Sequence, residues 1–183
     1  MFKKKPALVI LDRDGVINED SDAYVKSKDE WQPIVGSIEA IKLLKKHHIP
    51  VAIATNQSGI ARGLFDLFAL HEMHQKLYTL LGQDADAIWH IAFCPHVPED
   101  ECMCRKPKVG LLEEISQKLK IPFNKKVYFV GDSFRDIEVA YNAGCIPVLV
   151  KSGKGLKTLT THQEALKEVP VFDNLYQFVE SIL

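Results

Sequence analysis

The sequence predicts an α/β protein, a parallel sheet with helices on both faces. Three observations lead there. Short, continuous apolar runs of strand length recur along the chain, as expected for strands buried on both sides. Segments with apolar residues at helical spacing stand between them. Polar, chemically suggestive clusters follow the runs, at the strand ends where open α/β sheets bind their ligands. The 183 residues suffice for one domain with a real core and are too few for two comfortable ones, so a single domain over 1–183 is expected.

The elements follow in order. The run 7–11 is the first strand, and it ends on Asp12-Arg13-Asp14-Gly15. Strand residues two apart point the same way, so Asp12 and Asp14 can face one pocket as the strand ends. Gly15 permits a sharp exit. Two acids side by side at the end of a buried strand are costly unless something compensates their charge, and a divalent cation with a phosphorylated ligand would do so. A polar connection, 18–32, leads to a helix marked by Ile38, Ile41, Leu43 and Leu44. The second strand, 51–54, runs into Thr55-Asn56-Gln57-Ser58-Gly59, a set of hydroxyls, amides and backbone N–H groups that suits phosphate oxygens and equally makes common turns. Leu70, Met73, Leu77, Leu80 and Leu81 mark the next helix, and 88–93 is the third strand. Leu111, Leu112, Ile115 and Leu119 mark a helix, 127–130 a fourth strand, and Ile137, Val139, Ala140 and Ala143 a helix that Gly144 closes. The strand 147–150 precedes a basic, glycine-containing connection, 151–161, and a last helix over 175–182 with Asp173 or Asn174 as its N-cap. Neither long connection is large enough to fold alone, so no separate cap domain is expected.

Composition excludes several functions. The apolar fraction of 46% and charged fraction of 26% are those of a globular protein, and a net charge of −1 leaves no footprint for nucleic acid or an anionic membrane. No apolar run approaches the ~20 residues of a spanning helix. The basic N-terminus is followed by an apolar segment that is short and ends in Asp12, which does not make a signal peptide, so a cytoplasmic location is expected. A monomer is expected, for want of an obvious interface stripe.

Three of the four cysteines, Cys94, Cys102 and Cys104, cluster with His96. Three thiolates and one imidazole, paired two apart, make the ligand set of a closed tetrahedral zinc site. Four protein ligands leave no open position, so the zinc would be structural and would staple the loop 94–104. Cys145 reads as a small core residue. Arg105-Lys106-Pro107-Lys108 is a basic block that by itself reads as a solvated turn before a helix, and in which one lysine could neutralise a phosphoryl group and an arginine could hold a second anion. Gly131-Asp132-Ser133 puts a third acid at a strand end, where Asp132 would be an oxygen ligand for Mg²⁺. Asp136, near a helix start, reads as a structural buttress. The remaining histidines show no partnered spacing and read as surface or flank residues.

In that order, Asp12-x-Asp14-Gly15-Val16, Thr55, Lys106 and Gly131-Asp132 resemble the four motifs of the haloacid dehalogenase-like phosphatases. The longer runs 12–18 and 55–63, with the cysteine loop leading into 104–107, resemble the heptose-bisphosphatase branch of that family, which serves lipopolysaccharide heptose synthesis. The resemblance implies a Rossmann-like sheet and a Mg²⁺-dependent phosphatase acting on the C7 phosphate of a heptose 1,7-bisphosphate. Asp12 would attack phosphorus and form an aspartyl-phosphate. Asp14 would protonate the leaving oxygen and then take a proton from water. Thr55 and Lys106 would hold the phosphoryl oxygens. Mg²⁺ would be held by Asp12, the backbone carbonyl of Asp14 and Asp132. Asp20, Tyr24, Asn56, Gln57, Ser58 and Arg105 would bind the substrate, a small sugar phosphate. Ser133 stands where several heptose enzymes carry lysine. The histidinol-phosphatase branch has the same motifs and a zinc loop of this short kind, which makes a histidinol-phosphate phosphatase the alternative. A zinc-stabilised module that binds phosphosugars without turnover is a third reading.

Overall fold

The computed structural model describes residues 5–123 and 126–183, so four residues of the basic N-terminal stretch lie outside it. β1 (Leu8–Leu11), β2 (Val51–Asn56), β3 (Ile88–Cys94), β4 (Val127–Gly131), β5 (Ile146–Val150) and β6 (Val171–Phe172) form one sheet in the order β3-β2-β1-β4-β5-β6. Every pairing is parallel. The helices between them are α1 (Ser37–Lys46), α2 (Leu67–Leu81), α3 (Gly110–Leu119), α4 (Phe134–Asn142), α5 (Gly155–Thr161) and α6 (Leu175–Ile182).

The alternation along β1 shows why the strand is wholly apolar. Val9 and Leu11 enter a core with Ile41 and Leu44 of α1, Met73 and Leu77 of α2, and Phe178 of α6. Leu8 and Ile10 point the other way, into a core with Leu112 and Ile115 of α3 and Ala140 of α4. Both faces are dry, so no polar residue is tolerated until the strand ends. The chain winds outward from β1 in both directions, through β2 to β3 and through β4 to β6. The crevice between β1 and β4 is therefore the switch point where such folds bind ligands.

Helix limits follow local chemistry. The Asn174 side chain accepts from the Gln177 N–H at the start of α6, which settles the choice between the two expected caps. α4 begins three residues before its first expected apolar position. There the Asp136 carboxylate accepts from the Ser133 N–H and hydroxyl, and Gly144 at φ 76° ends it.

Two expectations need correction. The connection 151–161 is a short turn followed by α5, whose mixed polar sequence hid its helical period. The two-residue β6 was not foreseen, because two residues carry no period. The segment 18–32 lacks helix or strand yet is not loosely polar. Trp31 is fully buried, Val25 nearly so, and Lys76 of α2 donates to the carbonyls of Trp31 (2.6 Å) and Lys28 (2.8 Å).

Candidate active site

β1 and β4 are neighbours, with Leu11 opposite Val130. Their ends set Asp12 beside Asp132. The Asp12 N–H still donates to the Val130 carbonyl at 2.9 Å, so the strand pairing fixes the residue up to its Cα. The donors to the Asp12 carboxylate both land on Oδ1: its neighbour's N–H (Arg13, 2.7 Å) and the Lys106 ammonium (3.0 Å). Oδ2 is left for chemistry. Burial, with Asp136 and Asp14 nearby, pushes the Asp12 pKa up to about 7 against the pull of Lys106.

Lys106 is buried and uses its three N–H donors on Asp12, on Asp136 Oδ1 at 2.7 Å and on the Ala54 carbonyl at 2.9 Å. Burial alone would lower its pKa, but the two carboxylates more than offset that and raise it. It is therefore a fixed cation beside Asp12. The Asn56 amide exchanges hydrogen bonds with the Lys106 backbone (3.1 and 3.2 Å), locking the end of β2 to this residue. The Lys106–Pro107 peptide bond is cis.

Asp132 is held from two sides. The Lys154 N–H donates to Oδ2 at 2.8 Å, and the Thr158 hydroxyl donates to its backbone carbonyl. Two glycines make room for its carboxylate. A Cβ on Gly15 would lie 2.0 Å from Asp132 Oδ2, and one on Gly153 would lie 2.3 Å from it. Both glycines have positive φ, 84° and 55°. Burial, then Asp136 and Asp12, raise the Asp132 pKa to about 8. Carboxylate oxygens of Asp12, Asp132 and Asp136 lie within 4.8 Å of one another. The crowded, desolvated carboxylates of Asp12 and Asp132, with raised proton affinity, fit a hard divalent cation. Asp136 is already committed. Its Oδ1 takes Lys106 and its Oδ2 takes the N–H and hydroxyl of Ser133, at 3.0 and 2.7 Å. The free oxygens belong to Asp12 and Asp132.

Asp14 sits in a different environment. Arg13, wholly buried, reaches its Oδ1 through Nε (3.2 Å) and Nη2 (2.7 Å). Asn18 donates to the same oxygen at 2.8 Å, and Gln57 donates to Oδ2 at 2.8 Å. Burial would raise the Asp14 pKa, but Arg13, Asn18 and Gln57 together lower it. The two acids of the opening motif are thus pushed in opposite directions.

A cleft of about 230 Å³ lies over these groups. Of the expected residues, Asp12, Asp14, Asp20, Tyr24, Asn56, Ser58, Arg105, Lys106 and Asp132 line it. Gln57 does not. Its amide is buried, spanning Asp14, Arg13 and the Thr55 hydroxyl, so it positions Asp14 and does not line the sugar pocket as expected. Thr55 is also buried, beside the cleft and off its lining. The sequence reading gave no role to four residues of the site or cleft. Arg13 and Arg62 lie inside the runs 12–18 and 55–63, Lys154 in the basic connection 151–161, and Arg135 beside Asp136. Lys154 pairs with Asp20 at 3.1 Å and Asp22 at 3.6 Å, which ties the segment 18–32 across the cleft. His74, expected at a surface or flank, is buried near Arg13, and burial followed by that charge lowers its pKa to about 3.

Cys94, His96, Cys102 and Cys104 converge at the edge of the cleft, with sulfur–sulfur distances of 3.3–3.6 Å. His96 Nδ1 is 3.3 Å from Cys104 Sγ and 3.6 Å from Cys94 Sγ. A tetrahedron of ligands about 2.3 Å from a zinc ion has edges of about 3.7 Å, so the cluster closes to nearly that size. Arg105 follows it directly and donates to the His96 carbonyl at 3.1 Å.

A doubly wound parallel sheet, an acid pair after its central strand, a fixed lysine and a further acid after the neighbouring strand define a haloacid dehalogenase-like hydrolase. Residues 103–178 match the family model described as HAD-hydrolase-like. Similarity extends over nearly the whole chain. The D-glycero-beta-D-manno-heptose-1,7-bisphosphate 7-phosphatase of Pseudomonas putida is 48% identical over 96% of this chain and 99% of its own. That of Pseudomonas aeruginosa is 47% identical over 97% and 98%. A crystal structure of the D,D-heptose 1,7-bisphosphate phosphatase of B. bronchiseptica, complexed with magnesium and phosphate, superimposes with a TM-score of 0.90 at 45% identity, covering 96% of this chain and 97% of that one. The chain belongs to the D-glycero-beta-D-manno-heptose-1,7-bisphosphate 7-phosphatase family.

Proposed function

We propose that the protein removes the C7 phosphate of D-glycero-D-manno-heptose 1,7-bisphosphate. The observation that carries the reaction is the split environment of Asp12 and Asp14 at one strand end. The near-full-length similarity to phosphatases of this name carries the substrate. Asp12 attacks phosphorus with its carboxylate, forming an aspartyl-phosphate. Lys106, its donors held by Asp12, Asp136 and the Ala54 carbonyl, supplies fixed positive charge beside the phosphoryl group, and the Thr55 hydroxyl would hold a phosphoryl oxygen. Asp14 is ionised in the free protein. A phosphate dianion arriving beside it raises its proton affinity, and in the protonated form it donates to the leaving sugar oxygen. Returned to its cage of Arg13, Asn18 and Gln57, it takes the proton of the water that hydrolyses the intermediate.

Mg²⁺ held by Asp12, Asp132 and the Asp14 backbone carbonyl would supply charge against the repulsion between carboxylate and phosphate. Zinc in the Cys94/His96/Cys102/Cys104 cluster would be structural, since all four positions are protein ligands. Thiolates of this kind suit a reducing compartment, which agrees with a cytoplasmic setting. Among the described residues no helix is long and apolar enough to cross a membrane.

The test is phosphate release with Mg²⁺ from both anomers of the heptose bisphosphate and from histidinol phosphate. Preference for a heptose bisphosphate is expected. Preference for histidinol phosphate would sink the substrate assignment and leave the chemistry standing.

A further inference from the structure

The cleft carries more positive charge than one phosphate needs. Lys106 serves the transferred group, and Asp20 and Asp22 already neutralise Lys154. Arg105 spends one donor on the His96 carbonyl and keeps the rest of its fork. Arg135 has no hydrogen bond or ion pair among the described residues, although it lines the same cleft.

Arg135 is also badly placed for stability. It stands in the first turn of the nine-residue α4, where the helix dipole disfavours a cation. Its neighbour Asp136 is taken up by Lys106 and Ser133, and the Ser133 hydroxyl is taken up by Asp136. Two guanidiniums lining one cleft with spare donors become favourable when a dianion enters.

We infer that Arg135 is a specificity-determining residue which, with Arg105, brackets the phosphate that is not transferred. This rests on the reading of the substrate as a sugar bisphosphate. One phosphate then lies over Asp12 and Lys106 and the other at the Arg105/Arg135 wall. Ser133 offers no charge on that wall, and Arg135 supplies it.

The experiment compares kcat/KM for heptose 1,7-bisphosphate and heptose 7-phosphate in the wild-type protein, Arg135→Met and Arg135→Lys. Arg135→Met should lower the bisphosphate value by about ten- to a hundredfold, chiefly through KM, the range for a charged hydrogen-bonded contact. The 7-phosphate value should stay within about twofold. Arg135→Lys keeps the charge without the fork and should recover part of the loss. Arg135 is exposed and stands where the helix dipole disfavours a cation, so neither variant should melt below the wild-type protein. An equal loss on both substrates, or no loss on either, overturns the inference. A wild-type protein indifferent to the second phosphate would instead overturn the bisphosphate reading, and that result is seen before any substitution is made.

Discussion

Asp136→Asn separates two roles that the geometry brings close together. Asp136 lies with Asp12 and Asp132 in one cluster of carboxylate oxygens, yet both its oxygens are already occupied. Replacing one oxygen by an NH₂ group sets a donor against either Lys106 or Ser133. Lys106 keeps Asp12 and the Ala54 carbonyl but loses its shortest partner, at 2.7 Å. Removing one member of a buried ion pair costs about 3–5 kcal/mol, and the retained partners argue for about 3. For a domain of this size that lowers the melting temperature by about 6–12 °C. The assay is a thermal melt together with a Mg²⁺ activation curve. The melt should fall by that amount, while the half-activating Mg²⁺ concentration changes by less than about threefold, since Asp136 gives the cation no free oxygen. A melt shifted by less than 2 °C, with half-activation raised tenfold or more, would refute this. Asp136 would then be a metal ligand and not the anchor of Lys106.

Three further outcomes are expected. Asp12→Asn should abolish phosphate release while zinc content stays at one per chain, and retained turnover would overturn the nucleophile assignment. In chelator-treated protein, Asp12 and Asp132 have native pKa values raised to about 7 and about 8 from 3.8. The native state then binds more protons than the unfolded one between about pH 4 and 8, so stability falls across that range and levels off above it. Melting temperature should drop between pH 6 and 8.5 without Mg²⁺ and flatten when Mg²⁺ is added; a flat profile in chelator would contradict the assigned crowding. Gly153→Ala places a Cβ 2.3 Å from Asp132 Oδ2 and 2.5 Å from the Gly15 Cα at φ 55°, so Asp132 must move. A roughly hundredfold loss of kcat with far-ultraviolet dichroism intact is expected from such a displacement, and unchanged kcat would show that the loop yields freely.

The sheet was legible because its central strands are buried on both faces, which leaves unbroken apolar runs such as Leu8–Leu11. The place of the candidate site was legible because Asp12, Asp14, Thr55 and Asp132 break off from those runs at strand ends, while Lys106 stood out only as part of a basic block. The Cys94–Cys104 loop was legible from ligand spacing alone. What sequence could not show was which polar residues turn inward. Arg13 sits in the chain as an ordinary turn cation, yet it is fully buried because Asp14 and Gln57 receive it. Gln57 looks like its neighbours Asn56 and Ser58, but a single step along the turn sends its amide beneath Asp14 and away from the cleft. Lys154 gained its meaning only from Asp20 and Asp22, more than a hundred residues earlier.

The packing of Gly15 and Gly153 around Asp132 bears on how the protein acquires activity. The three residues follow β1, β5 and β4, so the cradle exists only once all three strands are in register. A partly folded chain that has paired β1 with β2 and β3 holds Asp12 and Asp14 but has no place for a cation. Magnesium held there would bind only a chain in which those three strands have docked, and would selectively stabilise the native state. During refolding, the return of turnover should report the last strand to dock and lag behind the recovery of helical signal.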